Sequence, residues 1–333
     1  MKKIFIASFL GVVVLVGGII VYMRPQAVSA PKVYHVGILN ALDFFSDTTL
    51  GFKKKMTELG YVEGVNIFYD EQKAPAPVGN ENVIKKFVDE KVDLILSFPT
   101  EASLEAKRGV MGTNIPVVFG NAFIESNDLV ESIAHPGGNI TGVRFPGVDM
   151  SMRRLELLHE LAPKAKRFWI PYLKDYPSVP PQIEKLEPFA ASLGLILVET
   201  PFSSPAELST YIDAQSSSKN IAMDAVLMIA EPFGAMQETL DAVHKFADTH
   251  QLPVVGARVV DKDVGPALSL FENSFAVGGL AATLADKIFK GTPAGEIPVI
   301  SPENELSINV KVIQKLGLVA SEGLLSQAVT IVH

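Results

Sequence analysis

His135-Pro136-Gly137-Gly138-Asn139-Ile140-Thr141-Gly142-Val143 lies near the middle of a chain of 333 residues, and its reading decides the fold. Proline beside paired glycines marks a tight turn. Asn139 to Val143 then reads as a short extended segment. Before the turn, short apolar runs alternate with amphipathic ones, and after it the same alternation begins again. The stretch therefore reads as the connection between two similar α/β lobes. The competing reading is one more loop inside a single domain. The chain is long enough to give each of two lobes its own core.

Working upstream, Val33 to Leu39 is apolar and β-branched, the pattern of a buried first strand. Asn40 to Phe45 is the loop after it. Ser46 or Asp47 can cap a helix running to Leu59, with Phe52, Met56 and Leu59 on the buried face. Asn66 to Asp70, Val92 to Ser97 and Ile115 to Phe119 read as further strands. One intervening helix is capped by Asn80 and striped with Val83, Ile84, Phe87 and Val88; another is entered through Pro99-Thr100-Glu101. A short helix through Leu129 and Ile133 is expected before the glycine-rich turn. Strands and helices alternating in this way give a parallel sheet with right-handed crossovers.

Downstream, strands at Arg167 to Pro171, Leu195 to Glu199, Ala225 to Ile229 and Leu252 to Val255 follow a helix from Met152 to Leu161. Helices at Gln182 to Leu193, Pro205 to Ala214 and Met236 to Phe246 fall between them, the first kinked by Pro188. Asn273 to Phe289 is a long helix whose Gly278 and Gly279 permit close packing, expected against a sheet. It should return to the first lobe, and the final helices, Val310 to Leu316 and Gly323 to Ala328, to the second. The fold class is α/β: two Rossmann-like lobes with a hinge. Lobe one takes 31–144 plus about 271–300; lobe two takes 145–270 plus about 301–333.

Composition narrows the function classes. A net charge of −8 with no long basic tract argues against nucleic acid. The absence of cysteine excludes disulfides, a thiolate nucleophile, cysteine-bound metals and the cysteine of a lipoprotein anchor. Met1-Lys2-Lys3, the uncharged run Ile4 to Met23, and Val28-Ser29-Ala30 resemble an export signal cleaved near Pro31. The alternative is an uncleaved anchor, since about 20 apolar residues span a bilayer. Either way the body lies outside the cytoplasm.

In open parallel sheets, ligands bind beyond the carboxyl ends of the strands. That points to the loops holding Asn40, Phe44, Phe45, Ser97, Thr100, Asn121, Phe123, Tyr172, Glu231, Arg258 and Asn273. Ser97 and Thr100 offer hydroxyls at a helix N-terminus, where unpaired N–H groups suit a carboxylate, or they merely cap that helix. Phe44 and Phe45 can stack on a flat ligand or pack down onto the core, and Phe123 and Tyr172 present the same choice. Glu231 can hold an amine and Arg258 a carboxylate, unless each forms a surface ion pair. Asn273 can contact a ligand or cap its helix. Gly137 to Gly142 lacks the spacing of a dinucleotide fingerprint, and Lys53-Lys54-Lys55 follows no phosphate-binding loop. The six histidines show no close metal spacing. No cofactor, metal or catalytic constellation is expected.

Several of these segments together resemble the periplasmic ABC-transporter substrate-binding family that includes the tryptophan and tyrosine uptake binding proteins. Pro136 to Val143 matches its most distinctive motif, and Ile115-Pro116-Val117-Val118-Phe119 the strand before it. Leu59 to Asn66, Gly291 to Val299, Asn309-Val310 and Leu316-Gly317-Leu318 complete the pattern. The resemblance implies a type-I periplasmic-binding-protein-like fold closing on a small solute. It implies a monomeric, non-enzymatic receptor in the periplasm with an ABC-transporter membrane permease as partner. Ser97 and Thr100 then fit a site for the ligand carboxylate, Asn40 and Asn121 the rim of lobe one, and Tyr172 and Glu231 the cleft of lobe two. The expected solute is an amino acid or related small zwitterion, aromatic in several relatives. Two departures stand out: Pro266 to Ser274 lacks the family's tyrosine, and Arg258 replaces small or acidic residues. The second admits a small dicarboxylate as the alternative ligand. A membrane-anchored sensing subunit is the alternative role, and an enzyme the third.

Overall fold

β1 (Tyr34–Asn40) forms over the first apolar run after Pro31, and it becomes the second strand of a five-stranded sheet. The sheet order is β2 (Ile67–Lys73), β1, β3 (Leu94–Phe98), β4 (Val117–Ala122) and β5 (Ile140–Arg144), parallel throughout. The structure is a computed structural model that describes residues 32–73, 79–216, 218, 221–256 and 263–333. The expected export signal therefore lies outside the described residues. No helix among the described residues is long and apolar enough to cross a membrane.

Side chains alternate faces along each strand. Val36 and Ile38 of β1 join Phe52 and Met56 of α1 (Asp47–Glu58) on one face. Leu39 joins Ile84 and Phe87 of α2 (Glu81–Asp89) and Ala102 of α3 (Thr100–Gly109) on the other. A parallel sheet covered on both faces needs such continuously apolar strands. Each fully buried side chain of this size contributes about 1.5–3 kcal/mol.

The second sheet has seven strands. Its order runs β12 (Thr330–Val332), β11 (Asn304–Asn309), β10 (Leu268–Glu272), β9 (Val254–Gly256), β8 (Ala225–Leu227), β6 (Arg167–Leu173) and β7 (Ile196–Phe202). Only the β10–β11 pair is antiparallel. α4 (Gly147–Leu161) and α5 (Val179–Ser192) pack on one face, while α6 (Pro205–Ser216) and α7 (Gln237–Thr249) cover Trp169 and Val226 on the other.

Between β10 and β11 the chain leaves this lobe. α8 (Ser274–Phe289) packs on the first lobe, with Val277, Ala281, Ala282, Leu284 and Ala285 in its core. The chain then passes Ile300, which bridges Val143, and returns to β11; α9 (Val310–Lys315) and α10 (Glu322–Leu325) complete the second lobe. Three crossings thus run together: after β5, after β10 and before β11. Arg144 fastens two of them. Its amide donates to the Ile300 carbonyl at 2.9 Å, and its guanidinium reaches Ser301 Oγ at 2.7 Å, Glu125 and Asp149. These crossings make a hinge between two α/β lobes.

Three local readings are corrected. The glycine-rich turn is not the crossing itself. It leads into β5, with Gly137 donating to Gly295 at 3.1 Å, and the chain crosses after Arg144. Leu129 to Ile133 is turn rather than helix. Asn127 accepts from Leu129 N and donates to the Phe123 carbonyl, a local pairing that competes with helix formation. Gly278 packs against helix α1, not a sheet. A Cβ there would overlap the Thr48 carbonyl, as one on Gly51 would overlap that of Phe275. The helix expected around Pro188 is present as α5, with that proline inside it.

Candidate functional site

The carboxyl ends of β1, β3 and β4 face those of β6 and β8 across the hinge. Tyr176, on the β6–α5 loop, donates its phenol to Glu101 Oε1 in the first turn of α3 at 2.8 Å. From these two residues to the three crossings, the facing loops form the junction between the lobes, the interlobe cleft.

Its hinge-side wall is aromatic. Phe44 and Phe45 lie in a turn of 3-10 helix (Asp43–Phe45) directly after β1. Phe44 meets Phe271 edge-on at 5.3 Å, and Phe45 lies 6.4 Å from Phe271 and 6.5 Å from Phe145. Phe145 and Phe271 come from the first two crossings, so rings from both lobes form one cluster. Offset and edge-on pairs of this kind are the favourable ones.

A buried polar chain runs beside that cluster. Thr48 donates to Asn121 Oδ1 at 2.8 Å, and Asn121 Nδ2 donates to Glu272 Oε1 at 3.0 Å across the hinge. Asn121 holds φ +49° at the end of β4, a left-handed conformation that asparagine tolerates better than most residues. Arg154, wholly buried in α4, donates to the Leu270 and Met228 carbonyls. Burial lowers its pKa to about 10, opposed by the charges of Glu272 and Glu231.

Glu231 is 9% exposed at the end of β8. Its carboxylate accepts from Phe233 N at 3.1 Å and Leu173 N at 3.3 Å. Burial nevertheless pushes its pKa up to about 8, against the pull of those two N–H groups and of Arg154. The Tyr176 phenol is raised by burial and by the nearby Glu101 and Glu231 carboxylates.

The expected residues divide accordingly. Phe44, Phe45, Asn121 and Glu231 meet in this region. Thr100 Oγ1 accepts from Phe123 N at 2.9 Å, so these two tie the β3 and β4 loops together, and the Phe123 ring packs against Gly147 at the start of α4. Ser97 is fully buried with its hydroxyl on Ser103, and Asn40 donates to Ser46 Oγ at 3.1 Å. Tyr172 shares the strand face of Phe168 and Ile170 and interacts with Glu199. Asn273 caps α8, accepting from Ala276 N and donating to Glu305. Arg258 lies outside the described residues.

Sequence reasoning passed over Tyr176, Glu101, Glu272, Arg154, Phe145 and Phe271. Glu101 and Tyr176 stand one and four residues from residues it selected. Phe145, Phe271 and Glu272 had only their place beside the crossings as a signal. Among the described residues, no group of three His, Asp or Glu side chains has the geometry of a metal site. A separate cavity of about 340 Å³ opens between Met111, Glu131 and Gly138, at the amino-terminal end of β5 and so remote from the cleft.

Comparison with known proteins bears on the family and the fold. A family described as ABC transporter substrate binding protein matches residues 39–332. The tyrosine-binding protein of Clostridioides difficile (strain R20291) is 25% identical over 326 residues, covering 95% of this chain and 92% of that protein. A conserved domain protein from Vibrio cholerae superposes with a TM-score of 0.76 at 22% identity, over 90% of this chain and 100% of that one. An ABC domain from Streptococcus pneumonia, solved in complex with L-Trp, superposes with a TM-score of 0.74 at 19% identity, again over 90% and 100%.

Proposed function

This chain belongs to the ABC transporter substrate-binding protein family, and from that premise we propose that its cleft takes a small zwitterion, an amino acid or close derivative with an apolar or aromatic side chain. At the coarser level it is an extracytoplasmic solute-binding protein of an ABC importer, with the importer's membrane complex as its partner, and not an enzyme. The observation that carries the finer reading is the buried Glu231 carboxyl, whose charge acts on Arg154, itself bonded to the Leu270 carbonyl next to Phe271 of the aromatic cluster. Pockets of this sort are mostly apolar with a few placed polar groups.

In this reading the solute's apolar part lies against Phe44 and Phe45. Its ammonium is held by Glu231, and its carboxylate meets the N–H groups at the start of α3 beside Thr100. An arriving ammonium favours the ionised form of Glu231, so binding releases a proton near neutral pH. The tyrosine-binding and L-Trp-bound relatives support an aromatic side chain. A dicarboxylate fits less well, because Glu101 already sits in the first turn of α3 and Glu231 and Glu272 lie behind it.

Melting shifts of the purified protein with L-tryptophan, L-tyrosine, L-leucine, L-glutamate and a neutral sugar test the reading. A solute at 100 times its Kd stabilises the folded state by about 2.7 kcal/mol. L-Tryptophan or L-tyrosine should stabilise wild type, and Glu231→Gln should weaken that binding about tenfold or more. Stabilisation by the sugar alone, or unchanged affinity in Glu231→Gln, would reject the zwitterion.

A further inference from the structure

Tyr176 and Glu101 are 75 positions apart, one in each lobe, and their side chains bond directly at 2.8 Å. Among the described residues, side-chain hydrogen bonds that join the lobes also lie at the crossings: Asn121 to Glu272, Asn273 to Glu305, and Arg144 to Asp149 and Ser301. Those bonds sit near the axis about which the lobes turn and are little disturbed by turning. The phenol–carboxylate bond lies away from the crossings, where a rotation becomes a displacement, so it must break when the lobes part.

Both partners are held in place from behind. Glu101 projects from the first turn of α3, whose start is tied to the β4 loop through Thr100 Oγ1. The Tyr176 loop is pinned by a buried polar cluster in which Gln182 Nε2 donates to the Ser178 and Ala230 carbonyls at 2.7 and 3.0 Å. Ser151 Oγ donates to Gln182 Oε1 at 2.6 Å, and Ala230 N donates to both Ser151 Oγ and Gln182 Oε1 at 3.0 Å. That cluster also fixes the residue before Glu231, so the phenol and the floor of the cleft move as one body. Pre-set side chains lose little freedom on pairing, and a hydrogen bond to a charged group is among the stronger kinds.

We propose that Tyr176 and Glu101 form an interlobe latch: a bond between protein atoms alone that weights the lobes toward the closed arrangement, making both of them positioning residues for solute capture. The latch adds to whatever the solute contributes. It sets how much of the protein is closed before a solute arrives and how slowly a captured one leaves. The role in capture rests on the proposed reading of the cleft; the effect on the lobes does not.

The absence of native cysteine allows a clean distance measurement. Spin labels at Lys85→Cys in lobe one and Lys185→Cys in lobe two, both exposed positions, report the interlobe distance by pulsed electron resonance. In solute-free protein, Tyr176→Phe should shift the ratio of short to long distances about tenfold toward the long one, which converts to about 1.4 kcal/mol. Glu101→Gln keeps an acceptor oxygen and should retain most of the short population, whereas Glu101→Ala should behave as Tyr176→Phe does. The Ala variant decides the matter if Tyr176→Phe fails to melt cooperatively. An unchanged distribution in the deciding variant, or a wild type showing only the long distance, would overturn the latch. A second arm adds L-tryptophan. If it closes neither wild type nor variant while the solute-free shift is seen, the latch stands and the amino-acid reading fails.

Discussion

Glu231 shows how one residue can lower the stability of the fold that positions it. Its folded pKa of about 8 lies above the ordinary 4.5, so the folded chain holds this proton more tightly than the unfolded chain does. Stability therefore falls as pH rises from about 4.5 to about 8 and levels off above. The full effect is roughly 5 kcal/mol at most. Glu231→Gln should flatten that slope, and denaturant melts across the same pH window check it. A slope unchanged in the variant would assign the pH response elsewhere. At this scale the sequence was only partly legible. Paired phenylalanines and a buried glutamate at strand ends advertise a site. The choice of Tyr172 over Tyr176 depends on strand register: Tyr172 still obeys the alternation of β6, and Tyr176 is past its end, on a loop turned by Asp175 at φ +59°. No local pattern reveals which of two tyrosines crosses to another lobe.

At the scale of elements, the contact between α1 and α8 is set by two glycines facing each other's backbone. A Cβ at Gly278 would meet the Thr48 carbonyl and the Phe52 amide, which cannot rotate away as a side chain can. Gly278→Ala should therefore destabilise by about 1–3 kcal/mol or more, read as a lower denaturation midpoint at unchanged slope. Gly279→Ala, one residue on, faces only Lys55 Cβ at 4.0 Å and should be nearly neutral. The glycines were legible as a site of close packing; their partner was not, because a small residue accommodates helix and sheet alike. Long strands and helices were recovered from their periodicity. β10 and β12 escaped because each is short and is held by neighbours distant in sequence, Leu306 and Ile308 for β10 and Ser307 and Ile308 for β12.

At the scale of the molecule, neither lobe is continuous in sequence. α8 contributes Val277, Ala281, Ala282, Leu284 and Ala285 to the core of the first lobe, although it follows β10 of the second. A chain ended at Asn273 thus loses a wall of lobe one along with two strands of lobe two. It should show no cooperative melting transition, whereas lobes able to fold independently would leave one transition intact. The alternation of strands and helices made two lobes readable. The hinge was harder, because its three crossings come together only in space.

The phenylalanine cluster at those crossings has a thermodynamic consequence. Phe44 and Phe45 bear on Phe145 and Phe271 as a ball bears on its socket, and the contact lies near the pivot. Turning of the lobes slides ring over ring there without wetting either. The heat capacity change on solute binding should then report only the surfaces of the solute and of the cleft it covers, since burial of apolar area is what makes that quantity negative. Calorimetry at several temperatures should give a value matching the solute's own apolar area. A much more negative value would mean that the bearing is flooded in the open state and dries each time the lobes close.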